Sequence, residues 1–295
     1  MKKILITGIH GYVSTSLKKY IENKSSNYDV QLLSLRGDWE NESFANIDTI
    51  IHTAALVHKS EKQHDISEYR KINVDLTVKL AEKAKSEGVH HLIFISSEAV
   101  YGLKPSCFKT TIIEKATPLQ PSTKYGITKL EAEKKLLMLE TDSFLVSIIR
   151  PPMVYGPNCP GNYQLLKKIT LKLGVAPKMN SKKSFIFIDN LCNLLFALIQ
   201  QPLCGIFCPQ NQEIVETYEM MQLIGKYNNK RIILLPILSP LIKLASLISP
   251  KLSKAFGCEF YSPELSQING LNYCVIPFDE SIKMSEFGAN EHIPT

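Results

Sequence analysis

Short apolar, β-branched runs alternate with longer amphipathic stretches along the first half of the chain. The runs fall at 4–7, 30–35, 49–52, 92–96 and 145–149, and helical periodicity is clearest at 67–86 and 122–140. Continuous apolar runs of this length fit strands buried on both faces, and strands alternating with helices predict a parallel sheet. The expectation is an α/β fold: a Rossmann-type parallel sheet flanked by helices. Only 13 residues separate Leu35 from Thr49. That is short for a full helix and its strand, so the sheet is expected to be trimmed there.

Near Arg150-Pro151-Pro152 the rhythm changes. Pro, Gly and Asn cluster at 156–162, which reads as an exposed loop. Beyond it the elements are shorter: a helix from about Tyr163, a strand at 185–188 and a helix at 190–200. We therefore expect a dinucleotide-binding domain over 1–150. A smaller C-terminal, substrate-binding part is expected over 151–295, partly interwoven with the first. The stretch 237–256 is rich in Leu and Ile but is interrupted by Pro240, Pro250 and three Lys, so it is no membrane span. It reads as an amphipathic helix capping a substrate pocket, with a place on a membrane surface as the alternative. The polar tail after Phe287 is expected to fray.

Composition changes this picture little. The 295 residues suffice for one large domain or two interlocked ones, and 44% hydrophobic with 21% charged residues is ordinary for a water-soluble chain. The net charge of +6 is spread without a dense basic block, which gives no case for a nucleic-acid partner. The N-terminus lacks the pattern of a signal peptide, so a cytoplasmic location is expected. The seven Cys are scattered with no C-x-x-C pair, which fits reduced thiols and no metal site.

Candidate chemistry enters at three places. Thr7-Gly8-Ile9-His10-Gly11-Tyr12-Val13-Ser14 follows the first strand and opens a helix. Gly8 suits the tight turn, and Gly11 lets backbone approach a pyrophosphate at the helix N-terminus. Ser14 stands where a third Gly is usual, which asks helix and strand to sit slightly further apart. An NAD site usually has a carboxylate about 20 residues on, gripping the ribose hydroxyls. Here Ser34 occupies that position and Arg36 follows, a pair that suits a 2′-phosphate. NADP(H) is therefore favoured and NAD(H) is the alternative, with His10 and Asp38 as further candidates around the adenosine. Thr53, Ala54 and Ala55 end the third strand with small side chains that leave room for the nicotinamide ribose, and His52 is read as structural. Tyr125 and Lys129, in YGITK, share one helix face. An ammonium beside a phenol favours phenolate and is expected to lower the Tyr pKa, making it a proton donor and acceptor. Ser97 ends another strand, where a hydroxyl can hold a substrate oxygen.

The motifs TGIHGYVS, HTAA, INVDLT, SSEAVYG, YGITK and RPPMVYGP run in this order over nearly the whole chain. Together they resemble the extended short-chain dehydrogenase/reductases, the nucleotide-sugar epimerase/dehydratase family. The resemblance implies a Ser97, Tyr125 and Lys129 triad. Tyr125 would be the acid/base, Ser97 would hold the reacting oxygen, and Lys129 would bind the nicotinamide ribose. It also implies that Tyr12, Val13 and Pro152 line the cofactor and that Asn73 is structural. Dehydratases carry an Asp-Glu pair where this chain has Glu98-Ala99, which disfavours dehydration. RPPMVYGPNCPGNY is similar to bacterial capsule and O-antigen enzymes that reduce UDP-2-acetamido-2,6-dideoxy-4-hexulose to UDP-N-acetylfucosamine or UDP-N-acetylquinovosamine. On that likeness Glu98, Met153, Asn162 and Lys183 are substrate candidates, with Met153 replacing an Asn that many epimerases have. The expectation is an NADPH-using 4-keto reductase acting as a homodimer through a four-helix bundle. A UDP-hexose or UDP-N-acetylhexosamine 4-epimerase with bound NAD is the first alternative, and a non-catalytic dinucleotide sensor is the alternative of another class.

Overall fold

A computed structural model describes residues 1–57, 63–268 and 270–287. The expected frayed tail lies outside them. The chain divides into two units. The first comprises Met1–Leu103, Thr117–Pro151 and Leu191–Pro209, and the second Lys104–Ala116, Pro152–Asn190 and Gln210–Thr295.

The first unit is a six-stranded parallel sheet with helices on both faces. Its strands are β1 (Lys2–Thr7), β2 (Tyr28–Leu33), β3 (Thr49–His52), β4 (His91–Ile95), β5 (Leu145–Ile149) and β6 (Gly205–Phe207), in the spatial order β6-β5-β4-β3-β1-β2. All five pairings are parallel. β3 and β4 are buried along their whole length, which is why they read as unbroken apolar runs rather than alternating ones. On one face, helices α1 (Leu76–Ser86) and α2 (Lys124–Leu139) contribute Leu80, Ala84 and Leu136 to a core with Leu92, Phe94, Val146 and Ile148. On the other, Tyr20 of the Tyr12–Lys24 helix and Tyr28 of β2 meet Phe196 of the Ile188–Gln200 helix edge-on. The short link from β2 to β3 is trimmed as its length requires. A single 3-10 turn, Trp39–Asn41, replaces a helix, and Trp39 stacks on Phe44 with ring centroids 6.5 Å apart, inside the same core.

The expected helix at 67–86 is helical but not uniform. Ile66–Arg70 leads into a wide π turn, Lys71–Asp75, before α1 begins. The second unit holds a four-stranded mixed sheet in the order Val215–Glu216, Lys182–Lys183, Cys258–Tyr261, Thr110–Ile113, with two further strand pairs. The whole is thus the expected α/β architecture, a Rossmann-type sheet plus a smaller, mostly C-terminal part. The amphipathic stretch is two helices, Leu238–Ser246 and Pro250–Phe256, separated where Pro250 cannot continue the first. Among the described residues no helix is long and apolar enough to cross a membrane.

Candidate active site

The carboxyl ends of the central strands carry the candidate residues. At the end of β1, Gly8 has φ +87°, and a Cβ there would stand 2.8 Å from Thr53 Oγ1. A Cβ on Gly11 would meet Ser14 Oγ at 2.9 Å. A side chain at Gly8 would be strained by its φ and crowded by Thr53, and one at Gly11 would have to displace the Ser14 hydroxyl. Ser14 is fully buried, and its single hydroxyl proton is shared between the Gly8 and Gly11 carbonyls, both within hydrogen-bond reach. It takes the place of a third glycine by satisfying the turn that a glycine would merely permit. The following helix starts at Tyr12 with Gly11 as N-cap, no side chain capping it and no carboxylate in its first turn. Its first N–H groups and its dipole therefore favour an anion. This turn fits a dinucleotide pyrophosphate.

His52 organises the neighbouring loop. Thr77 Oγ1 donates to the Asn73 carbonyl at 2.9 Å, so it accepts from His52 Nε2–H, also at 2.9 Å. His52 Nδ1 then accepts from Thr7 Oγ1 at 2.7 Å, leaving that oxygen to accept from the Thr53 and Ala54 amides. Burial, aided by the Lys129 charge, lowers the imidazole to about 3, so it is neutral and structural. Asn73 is buried in the π turn. Its amide accepts from Leu56 N–H at 2.7 Å and donates to Leu56 O and Thr128 Oγ1. The widened turn aims this side chain inward to hold the loop after β3, which contains Thr53, Ala54 and Ala55.

Ser97 caps the 3-10 turn Glu98–Tyr101, accepting from Ala99 N–H at 3.2 Å. Its hydroxyl is also hydrogen-bonded to the Tyr125 phenol. Tyr125 lies in the first turn of α2, whose N-cap Thr123 accepts from Gly126 N–H. One turn on, Lys129 is fully buried. Its Nζ donates to Ile95 O at 2.7 Å and lies 4.4 Å from the Phe94 ring centroid and 5.8 Å from that of Tyr125. The three predicted residues are thus brought together at the end of β4.

The expected electrostatics are corrected. Burial raises the Tyr125 phenol to about 12, and Ser97 pulls it only partly back. Burial also lowers Lys129 to about 7, against the raising effect of Glu133. Lys129 Nζ donates to the strand carbonyl, and desolvation is the largest influence on both groups.

A buried ion pair under the triad was missed. Glu133, one turn beyond Lys129, receives Arg150 Nε at 3.1 Å and Nη2 at 2.6 Å, as well as the Ser96 hydroxyl. Arg150 Nη1 donates to the Tyr101 hydroxyl at 3.1 Å. The available signal was the i, i+4 spacing of Lys129 and Glu133 on a helix face otherwise apolar.

The remaining candidates are dispersed. His10, Arg36 and Asp38 are exposed; Tyr12, Val13 and Ser34 are half-buried, and Ser34 Oγ accepts from Arg36 N–H at 3.3 Å. Glu98 is half-buried and its N–H donates to Pro151 O at 3.1 Å. In the second unit, Pro152 is buried and Met153 opens a strand paired with Phe185. Asn162 is the exposed first residue of the Asn162–Leu173 helix. Lys183 lies across the sheet from Glu259, whose carboxyl burial raises and the lysine charge lowers.

With this geometry in view, comparison with known proteins is informative. Residues 4–205 match the NAD dependent epimerase/dehydratase family. The chain belongs to that family. A UDP-glucose 4-epimerase of Vibrio cholerae is 33% identical over 248 residues, which cover 75% of this chain and 74% of that one. An N-acetyl-alpha-D-glucosaminyl-diphospho-ditrans,octacis-undecaprenol 4-epimerase of Escherichia coli O157:H7 is 25% identical over 97% of this chain and 89% of its own. Among solved structures, a UDP-glucuronic acid 4-epimerase of Bacillus cereus in complex with NAD superposes with a TM-score of 0.70 at 18% identity, over 96% of this chain and 97% of that one. The last likeness speaks to the fold alone.

Family membership makes the protein an enzyme of the epimerase/dehydratase type with a dinucleotide cofactor. It does not specifically support the 4-keto reductase expected from the sequence, since the two relatives matched by sequence above are named as 4-epimerases.

Proposed function

We propose that the protein is a UDP-sugar 4-epimerase acting on a UDP-hexose or UDP-N-acetylhexosamine. The observation that carries this reading is the Ser97–Tyr125–Lys129 cluster at the end of β4, in a sheet whose β1 ends in the glycine turn, and in a chain one-third identical over 248 residues to a UDP-glucose 4-epimerase. Gly8, Gly11, Tyr12 and Val13 would hold the pyrophosphate, and Thr53, Ala54, Ala55, Lys129 and Pro152 the nicotinamide riboside. The bound nicotinamide supplies hydride acceptance and return. Tyr125 takes the proton from the C4 hydroxyl and gives it back, while Ser97 holds the same oxygen. With Tyr125 near 12 in the surroundings described, the phenol is the resting form, so its own proton must first leave to solvent before the phenolate can accept that of the C4 hydroxyl. Lys129 near 7 is poised to change charge in the working range and to compensate a phenolate. Glu98, Met153, Asn162 and Lys183 remain the substrate contacts of the proposal. A homodimer through the 67–86 and 122–140 helices completes it.

One observation favours a second reading, reduction of UDP-2-acetamido-2,6-dideoxy-4-hexulose by NADPH. The residue directly after β2 is Ser34 rather than a carboxylate, and Arg36 follows two residues on. Purified protein is therefore assayed by NMR with UDP-glucose and with UDP-N-acetylglucosamine without added cofactor, and with polyprenyl-diphosphate-linked N-acetylglucosamine, the sugar carrier in the name of the E. coli relative. Parallel tubes hold the 4-keto sugar with NADPH or NADH. C4 epimers of either UDP-sugar without added cofactor support the proposal, and epimers of the polyprenyl-linked sugar alone overturn its choice of substrate. Turnover only of the ketone, with a reduced cofactor, overturns it in favour of the reductase.

A further inference from the structure

The helix Leu238–Ser246 turns a row of large apolar side chains to the outside. Ile237, Leu241, Leu244 and Ile248 recur at steps of four, three and four, which stacks them along one side. The helical turn runs on past Ser246, with Ser249 N–H reaching Ala245 O at 3.0 Å, so Ile248 keeps that register. These four and Leu247 are each at least 60% exposed, and Ile248 is 88% exposed. The helix cannot roll to hide them. Its other side is anchored: Ile242, with Leu252, Ala255 and Phe256 of the next helix, packs on Met179, Met221 and Ile232. Ser253 Oγ donates to Ser246 O at 3.0 Å and ties the two helices together. The expected capping of a pocket does not account for side chains this open.

Charge selects the occupant. Between Glu219 and Glu259 the chain has no carboxylate, while Lys226, Lys230, Arg231, Lys243, Lys251 and Lys254 give six cations. Lys226 is paired with Asp279. Lys251 and Lys254 are exposed and Lys243 is half-buried on the two helices themselves. A second copy of the chain, docked face to face, would bring the same cations together. A surface of phosphate-bearing lipids answers both the apolar row and its cationic rim. The helix has nine residues, roughly 14 Å at 1.5 Å each, and so lies along a bilayer instead of crossing it.

We propose that the Leu238–Ser246 helix and the turn to Ile248 form a docking face for an anionic lipid bilayer. The apolar row enters the boundary of headgroups and acyl chains, and the lysines meet lipid phosphates. The proposal is independent of which C4 reaction the enzyme runs. Full-length protein is sedimented with vesicles of phosphatidylglycerol and phosphatidylcholine in equal parts, and with phosphatidylcholine alone. It should bind the anionic vesicles and release them as salt is raised. Leu244→Asp/Ile248→Asp should weaken that binding at least about tenfold, and Lys251→Glu/Lys254→Glu should remove its salt dependence. Both variants change exposed positions, so their melting temperatures and their turnover without vesicles should match the unaltered protein. Failure to bind anionic vesicles at low salt overturns the proposal, as does equal binding by the Asp variant. If the Asp pair instead converts an oligomer to a smaller species and leaves vesicle binding untouched, the face joins copies of the chain and the proposal is wrong.

Discussion

Glu133→Gln tests how the triad is supported from below. The change keeps shape and removes one charge from a site where the Glu133 and Arg150 side chains are 1% and 6% exposed. The carboxylate accepts three hydrogen bonds, one from Ser96 and two from Arg150. A Gln side chain has one acceptor oxygen and an amide that donates. Its amide would face a guanidinium or a hydroxyl proton, so at least one bond is lost and Arg150 remains buried without a counter-charge. Removing one partner of such a pair costs about 3–5 kcal/mol. With a urea slope of about 3 kcal/mol/M, the midpoint should fall by roughly 1–1.7 M. Arg150→Met should cost a similar amount. The double variant should lose less than the sum, since no lone charge is left behind, with a coupling of about 1–3 kcal/mol. The perturbation also reaches Lys129, which the Glu133 charge holds up against burial. Without it the ammonium deprotonates at lower pH, and the alkaline limb of the pH–activity profile should move to lower pH. The assay is equilibrium urea unfolding of the two single variants and the double, alongside turnover against pH. A midpoint shift under about 0.3 M for Glu133→Gln, or strict additivity in the double variant, would refute the reasoning.

Three further outcomes are expected. Tyr125→Phe keeps the ring, deletes the proton carrier, and should lower turnover by about 10²–10⁴ while leaving dinucleotide binding intact, as fluorescence titration can check. Burial depresses His52 to about 3 and His91 to about 4, so between those values and 6.5 the unfolded chain binds more protons than the folded one. Their contribution is complete above 6.5 and is lost as pH falls, by roughly 3 kcal/mol apiece near pH 4, so the urea midpoint should drop steadily between pH 6.5 and 4; an unchanged midpoint at pH 5 would contradict it. Gly102→Ala puts a Cβ 1.7 Å from Gln120 O at φ +65°. Backbone must move, and a loss of roughly 2 kcal/mol or more should appear as a melting temperature several degrees lower.

What the chain discloses by itself is what depends on local period and local chemistry. The β3 run 49–52 coincides with the strand because four fully buried residues have no polar face to blur the pattern. The glycine turn and YGITK are legible for the same reason, since a turn needs positive φ at Gly8 and a helix puts Tyr125 and Lys129 on one side. The family motifs then assemble the triad without any coordinates. Tertiary structure decided whatever depends on neighbours distant in sequence. Asn73, which the resemblance implies is structural, is buried because a π turn rotates it towards Leu56 and Thr128, and that turn is not visible in the sequence. Ser14 closes the turn through two carbonyls. The pKa values of Tyr125 and Lys129 follow the dielectric around them rather than their mutual spacing, and so opposed the expectation. Glu133 and Arg150 are 17 residues apart, and only the packing of α2 on the sheet makes them one buried pair. The same holds for the apolar row from Ile237 to Ile248: its periodicity is in the sequence, but which side faces outward was decided by Ile242, Leu252 and Phe256 packing inward. Spacing along a chain sets which side chains share a face, while desolvation and the identity of what that face touches are properties of the folded whole.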